Sequence, residues 1–129
     1  MQRSYNIQVI DSILKPGPRT KGGTPQATYK KAAKGGRNLY LVHIYLEGPD
    51  LAFVKRATYT LHKTFRNPVQ VIERSAKNQN CMLSLWTWGI FTVKVEIEDL
   101  KGNVIQLDHY LNYGAEIQNN KNISWIDKS

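Results

Sequence analysis

The sequence has 129 residues, a length that predicts a single domain over residues 1–129. A hydrophobic share of 41% and a charged share of 22% favour a packed core and exclude wholesale disorder. No apolar stretch approaches the roughly 20 residues of a membrane helix, and the lone cysteine, Cys81, excludes an internal disulfide, so we expect a cytoplasmic protein without membrane contact.

The first predicted element is a strand over Tyr5–Leu14, where Tyr5, Ile7 and Val9 alternate with polar residues. The second is a short helix over Thr24–Gly35. It begins with a hydroxyl N-cap followed by proline and ends at a glycine, which is the usual order of capping residues.

This helix lies in a basic segment that holds most of the net charge of +8. Between Lys15 and Arg37 there are cations and no acidic residue, whereas the rest of the chain is close to neutral. We expect such a segment to be a solvated loop, and a contact for a polyanion such as nucleic acid is the less favoured alternative. Its cations are Lys15, Arg19, Lys21, Lys30, Lys31, Lys34 and Arg37.

Three strands are predicted in the middle of the chain. Leu39–Glu47 is apolar on both faces except at one histidine, which is typical of a central strand. Phe53–Leu61 alternates, and we expect Phe53 to share its buried face with Ala57. Val69–Ile72 is a shorter strand that starts after a proline.

The clearest alternation follows later in the chain and predicts a β-hairpin. Phe91–Glu98 alternates without an error, Asp99–Asn103 has turn composition, and Ile105–Leu111 returns. The tail, residues 112–129, is rich in Asn and is expected to be loose, with Trp125 near its end as an anchor. Strands at this spacing indicate an all-β antiparallel sandwich or barrel.

The sequence contains no constellation typical of an enzyme. His43, His62 and His109 have no acidic or cysteine partner at metal-ligand spacing, and strand histidines are usually structural. No phosphate-binding loop, nucleophile elbow or paired carboxylates occur. We therefore expect no catalysis, no bound metal and no cofactor.

Two short segments combine aromatic and hydroxyl side chains where strands meet loops. Leu61–Pro68 presents a hydroxyl beside an aromatic ring, and Leu85–Phe91 contains two tryptophans next to a glycine. We expect Trp86 to fill one end of the core, whereas Trp88 fits a core or an interface equally well.

Together with their neighbours, these segments resemble the YEATS domain family. The resemblance covers roughly residues 39–111, and the amino-acid sequence there is most similar to the prokaryotic branch of the family. The matching motifs are Gly48-Pro49-Asp50, Phe53-Val54, Leu61-His62-Lys63-Thr64-Phe65-Arg66-Asn67-Pro68 and Trp88-Gly89-Ile90-Phe91.

The resemblance implies an immunoglobulin-like β-sandwich whose loops at one end bind an acylated lysine of a protein or peptide. By position, Phe65 and Trp88 would be aromatic walls around the acyl amide. Thr64 and the backbone N–H of Trp88 would hydrogen-bond the amide carbonyl, and His62 would orient Thr64. Gly89 would free the backbone beside Trp88.

Some positions differ from the family pattern. Thr87 stands where eukaryotic members often carry glycine, which predicts a restriction on long acyl chains. Tyr110 occupies a position that is acidic in some members, with Asp108 on the same face two residues earlier. Trp86, Asp108 and Tyr110 are therefore additional candidates at the site.

An alternative function stays open at this point. The same loops would then bind a partner protein, in an accessory sensor module of a bacterial conflict or signalling system that does not bind acyl-lysine.

Overall fold

A computed structural model describes residues 6–13, 26–31, 39–63, 65–87, 90–111 and 124–127. In these ranges the chain is nearly all β, which confirms the predicted fold class. No helix there has the length and apolar character that a membrane crossing requires. The elements are β1 (Gln8–Ser12), β2 (Gln26–Lys30), β3 (Leu39–Glu47), a 3-10 helix (Leu51–Phe53), β4 (Val54–Thr60), β5 (Val69–Glu73), β6 (Leu83–Thr87), β7 (Thr92–Asp99), β8 (Val104–Tyr110) and β9 (Ser124–Asp127).

Four strands form an antiparallel sheet in the order β5–β4–β7–β8. Its β7–β8 pair is the predicted hairpin, with Val95 opposite Leu107. Val93, Val95 and Ile97 are buried, while the residues between them are exposed or half-buried. Burial of each such side chain stabilises the fold by about 1.5–3 kcal/mol, so the alternation fixes which face of β7 turns inward.

The other sheet has the order β1–β3–β2–β9, and β6 also pairs with β3. β3 is the predicted central strand, with Val42, Ile44 and Leu46 fully buried. On its opposite face His43 is also buried, and its Nδ1 lies 2.7 Å from the hydroxyl oxygen of Ser84. This histidine is therefore structural, as expected.

The predicted helix over Thr24–Gly35 is wrong for the residues that the structure describes there. Gln26–Lys30 is a strand, antiparallel to β3 and parallel to β9. Ala27 is 1% exposed, so the strand buries one side chain deeply. A helix of about ten residues is marginal by itself in water, and pairing with two strands outweighs its capping signals. Thr24, Pro25 and residues 32–35 lie outside the described residues.

The basic segment is thus partly built into a sheet rather than being only a solvated loop. The ammonium of Lys30 lies 4.3 Å from the centroid of the Trp86 ring, and Lys31 Nζ lies 3.5 Å from Asp127 Oδ2. The segment's other cations lie outside the described residues.

The end of the tail is anchored as predicted. β9 pairs with β2, and Trp125 packs edge-on against Tyr29 with ring centroids 5.8 Å apart. Tyr40 contacts the same indole at an equal centroid distance. Aromatic pairs of this kind contribute about 0.5–1.5 kcal/mol beyond their buried area. Residues 112–123 lie outside the described residues.

The start of β4 departs from the predicted pattern. Phe53 belongs to the 3-10 helix and is 40% exposed, whereas we expected it on the buried face with Ala57. Val54 takes the inward position instead, and the register with β7 shifts between Val54 and Arg56. The turn that the N–H of Leu51 closes on the carbonyl of Gly48, and the 3-10 helix after it, delay the strand alternation until Val54.

The chain divides into two compact units. One comprises Met1–Ile10, Tyr45–Leu83 and Phe91–Leu111, and it contains the whole four-stranded sheet. The other comprises Asp11–Ile44, Ser84–Ile90 and Asn112–Ser129. That residues 1–129 act as one domain stays a prediction.

Candidate functional site

The loop between β4 and β5 is held at its base and within its turn. The N–H of Leu61 donates to the carbonyl of Pro68 at 2.6 Å, which closes the base. The N–H of Phe65 donates to the carbonyl of His62 at 3.0 Å, which tightens the turn. Leu61 is buried, whereas His62 is exposed, so the loop is anchored on one side and presents the other to solvent.

Three rings come together beside this loop. The ring centroids of Phe65 and Phe91 are 5.4 Å apart, with the planes tilted by 53°. The centroid of the His62 ring lies 6.2 Å from that of Phe91, at 60°. We call these three residues the aromatic cluster. The partly accessible phenylalanine rings of this cluster can pack against a flat, uncharged ligand group.

Phe91 is the member of the cluster that the sequence-based site prediction missed. Its carbonyl accepts a hydrogen bond from the N–H of Leu111 at 3.1 Å, which holds it at the start of the β7–β8 hairpin. The signal that could have identified Phe91 was its place in the Trp-Gly-Ile-Phe motif. Alternation alone indicates only that Phe91 is the first residue of a strand.

Three predicted site residues, Thr64, Trp88 and Gly89, lie outside the described residues. Thr87 is 5% exposed at the end of β6. Trp86, which we expected to fill one end of the core, is half-buried with its ring facing Lys30.

The two additional candidates on β8 are solvent-facing. Tyr110 is 65% exposed and lies opposite Thr92, and Asp108 is exposed opposite Lys94. They share one face of β8, as the spacing of two residues predicts.

The charged groups in the described part of the β4–β5 loop are cations at its surface. The two cations in the loop, Lys63 and Arg66, are exposed. In the ranges that the structure describes, no group of three or more His, Cys, Asp or Glu side chains is placed to hold a metal ion.

Solved structures similar to this chain are YEATS domains. The Yaf9 YEATS domain recognizing an H3K122suc peptide matches with 20% identity over 89% of this chain and 82% of that chain, at a TM-score of 0.53. Another structure of the Yaf9 YEATS domain matches with 20% identity over 91% and 83%, at a TM-score of 0.52. These likenesses show that the fold is the immunoglobulin-like sandwich of YEATS domains.

A third structure, the yeast AF-9 homolog protein Yaf9, has 26% identity over 57% of this chain, at a TM-score of 0.48. The match spans about half of that chain, 54%. No curated protein matches the sequence.

The family itself is shown by sequence. A model described as the prokaryotic YEATS domain matches residues 40–112, which is more than half of the chain and includes β3 to β8 almost entirely. The protein therefore belongs to the prokaryotic YEATS domain family.

Proposed function

We propose that this domain is a non-catalytic binding module that recognises an acylated lysine, or a similar flat amide, in a protein or peptide. The observation that carries the proposal is the aromatic cluster. Phe65 and the exposed His62 lie in the loop that holds the family's Leu-His-x-Thr-Phe motif, and the Phe65 ring packs on that of Phe91 with centroids 5.4 Å apart.

The physical chemistry of the ligand favours such a surface. Acylation removes the charge of lysine, so the cost of burying an ammonium group disappears. The remaining amide is flat and can stack on an aromatic ring for about 0.5–1.5 kcal/mol beyond area burial. A neutral hydrogen bond to its carbonyl adds about 0.5–1.5 kcal/mol. These magnitudes suit reversible recognition.

The finer assignment of roles comes from the resemblance to the family. In the proposed site Phe65 and Trp88 flank the acyl amide, and Thr64 and the backbone N–H of Trp88 hydrogen-bond its carbonyl. His62 supports the loop. The contact of Phe65 with Phe91 supports this assignment because it restricts how the Phe65 ring can turn.

The relatives support a peptide as the kind of partner. The Yaf9 YEATS domain has been solved recognizing an H3K122suc peptide and bound to H3K27ac. For this chain we propose an acylated protein of the cytoplasm, the reducing compartment that a chain with one cysteine fits. Thr87 would limit the length of the acyl group, and Asp108 or Tyr110 would contact flanking residues of the peptide.

The test is a titration of the protein with acetyl-lysine and crotonyl-lysine peptides, in which binding is measured by tryptophan fluorescence and by calorimetry. We expect saturable binding that the unmodified lysine peptide does not show. Phe65→Ala should weaken binding by about tenfold or more, since it removes one stacking surface and its packing. Trp88→Ala should weaken it similarly.

The matched control is Phe53→Ala. Phe53 is an exposed phenylalanine directly before β4, at the end of the strand opposite the loop of the half-buried Phe65, so its removal should leave binding unchanged. Absence of saturable binding to any acyl-lysine peptide, or equal losses in the Phe65 and Phe53 variants, would refute the proposal.

A further inference from the structure

β5 is an edge strand whose outer side is open within the described part of the chain. β4 is its neighbour in the sheet order. The N–H of Leu61 donates to the carbonyl of Pro68, and the N–H of Arg74 donates to the carbonyl of Lys55. In an antiparallel pair, hydrogen-bonded and non-hydrogen-bonded positions alternate. Positions 68, 70, 72 and 74 therefore face β4, and positions 69, 71 and 73 direct their N–H and C=O groups outward.

The same positions carry exposed side chains. Val69 is 56% exposed and Val71 is 55% exposed, on the solvent-facing side of the sheet. An open backbone edge next to exposed β-branched side chains is a template for another strand, and proteins usually protect such an edge with charges or prolines. Here Pro68 precedes the strand and Glu73 ends it, which leaves Val69, Gln70 and Val71 without such protection.

The charge around this edge is positive. Glu73 is the acidic residue of β5, and its Oε1 lies 3.0 Å from Arg56 Nε. This ion pair offsets the charge of Glu73, although the Arg56 N–H is not aligned for a hydrogen bond. Lys63 and Arg66 precede the strand and Lys77 follows it, all three exposed. Among the described residues, no carboxylate lies within ion-pair distance of these three cations.

We propose that the outer edge of β5 binds an extended peptide of a partner protein by strand addition, and that this peptide has small β-branched residues in its centre and acidic residues at its ends. Main-chain hydrogen bonds to positions 69, 71 and 73 supply affinity, and alternate side chains pack on Val69 and Val71. The acidic ends meet the exposed cations on either side of the strand.

Charge also argues against a second copy of this chain as the occupant. Two β5 edges paired antiparallel around Val71 bring the cations that flank one strand close to those of the other, and like charges across an interface weaken it. An acidic peptide has the complementary charge. The inference does not depend on acyl-lysine binding, because none of these groups belongs to the aromatic cluster.

The experiment measures the fluorescence anisotropy of labelled peptides titrated with the whole protein. The probe is Asp-Glu-Val-Thr-Val-Thr-Val-Glu-Asp, which has no lysine to acylate. One control peptide replaces the acidic residues by Lys and Arg, and another carries N-methyl groups on alternate backbone nitrogens. We expect saturable binding of the acidic probe that weakens as salt rises, and binding at least about tenfold weaker for both controls.

Two variants of one residue test the edge itself. Val71→Pro removes an outward N–H without removing a hydrogen bond to β4, so the sheet tolerates it better than a proline at position 70 or 72. Val71→Thr keeps the N–H and the branched shape. We expect Val71→Pro to bind the probe about tenfold more weakly, and Val71→Thr to bind like the wild type.

The outcomes are decisive in both directions. The proposal would be overturned if the two variants bound the probe equally, or if the N-methylated peptide bound as tightly as the probe. It would also be overturned if sedimentation showed a dimer of the wild type that Val71→Pro abolishes. If Val71→Pro does not fold, as judged by circular dichroism, the N-methylated peptide still tests the edge on the wild-type protein.

Discussion

Tyr59 makes a buried hydrogen bond whose loss can be measured as stability. Its side chain is fully buried in β4, and its hydroxyl donates to the carbonyl oxygen of Cys81 at 2.6 Å. Cys81 itself has a φ of 51°, a left-handed conformation that is unfavourable for a residue other than glycine. The Tyr59 hydroxyl thus helps hold a strained turn in place, and Tyr59→Phe removes the bond without changing the ring.

The magnitude follows from the burial of both partners. Because Cys81 is 0% exposed, its carbonyl cannot take a hydrogen bond from bulk water once the hydroxyl is gone. Leaving a buried acceptor unpaired costs about 1–3 kcal/mol. We therefore expect Tyr59→Phe to lower the free energy of unfolding by about 2 kcal/mol. For a chain of this length that lowers Tm by about 6–8 °C.

The assay is urea denaturation followed by tryptophan fluorescence and circular dichroism, with thermal unfolding in parallel. The control is Tyr110→Phe, since that ring is 65% exposed and its change should cost less than about 0.5 kcal/mol. Equal stability of the two variants would show that the bond to Cys81 contributes nothing net, and the reasoning above would be refuted.

Three further predictions concern stability. Gly48→Ala should unfold the protein at moderate temperature, because its Cβ would lie 2.0 Å from the backbone oxygen of Asn6 at a φ of 139°. Gly102 has open space around it, so Gly102→Ala should lower the free energy of unfolding by only about 1–2 kcal/mol in the same thermal melts. Equal destabilisation by the two alanine substitutions would contradict the predicted clash at Gly48. Burial raises the pKa of the Cys81 thiol from 9.0 to about 11, so the unfolded chain releases that proton first as pH rises. The free energy of unfolding, measured by urea titration at each pH, should then fall by up to about 3 kcal/mol from pH 9 to 11. An equally steep fall in Cys81→Ala would refute this reasoning. Asp99→Ala should destabilise the β7–β8 turn by about 1–3 kcal/mol, because the carboxylate accepts three hydrogen bonds there. Hydrogen exchange of the turn should rise, and unchanged protection would count against the role.

The sequence predicts those strands whose alternation is uninterrupted. In β7, the alternate residues Val93, Val95 and Ile97 are apolar and buried, so one short window of sequence contains the whole signal. Contacts within one motif also lie close along the chain. The turn that joins His62 to Phe65 is local, for example. The joint placement of Thr64 and Trp88 at the site stays a prediction.

Contacts between distant segments were harder to predict. Phe91 reaches Phe65 across 26 positions of sequence, and only the return of β7 beside β4 brings the two rings together. Trp86 was expected in the core, yet its ring faces Lys30 because β2 and β6 both pair with β3.

The amino-acid sequence by itself determined the all-β character, the hairpin and the family, because each depends on the order of residues along the chain and not on contacts between distant segments. Only the tertiary structure decided that Gln26–Lys30 is a strand, since its capping residues favour a helix locally while pairing with β3 and β9 provides more hydrogen bonds and burial. Local preferences of a few tenths of a kcal/mol per residue are outweighed when a segment can complete a sheet on both of its edges.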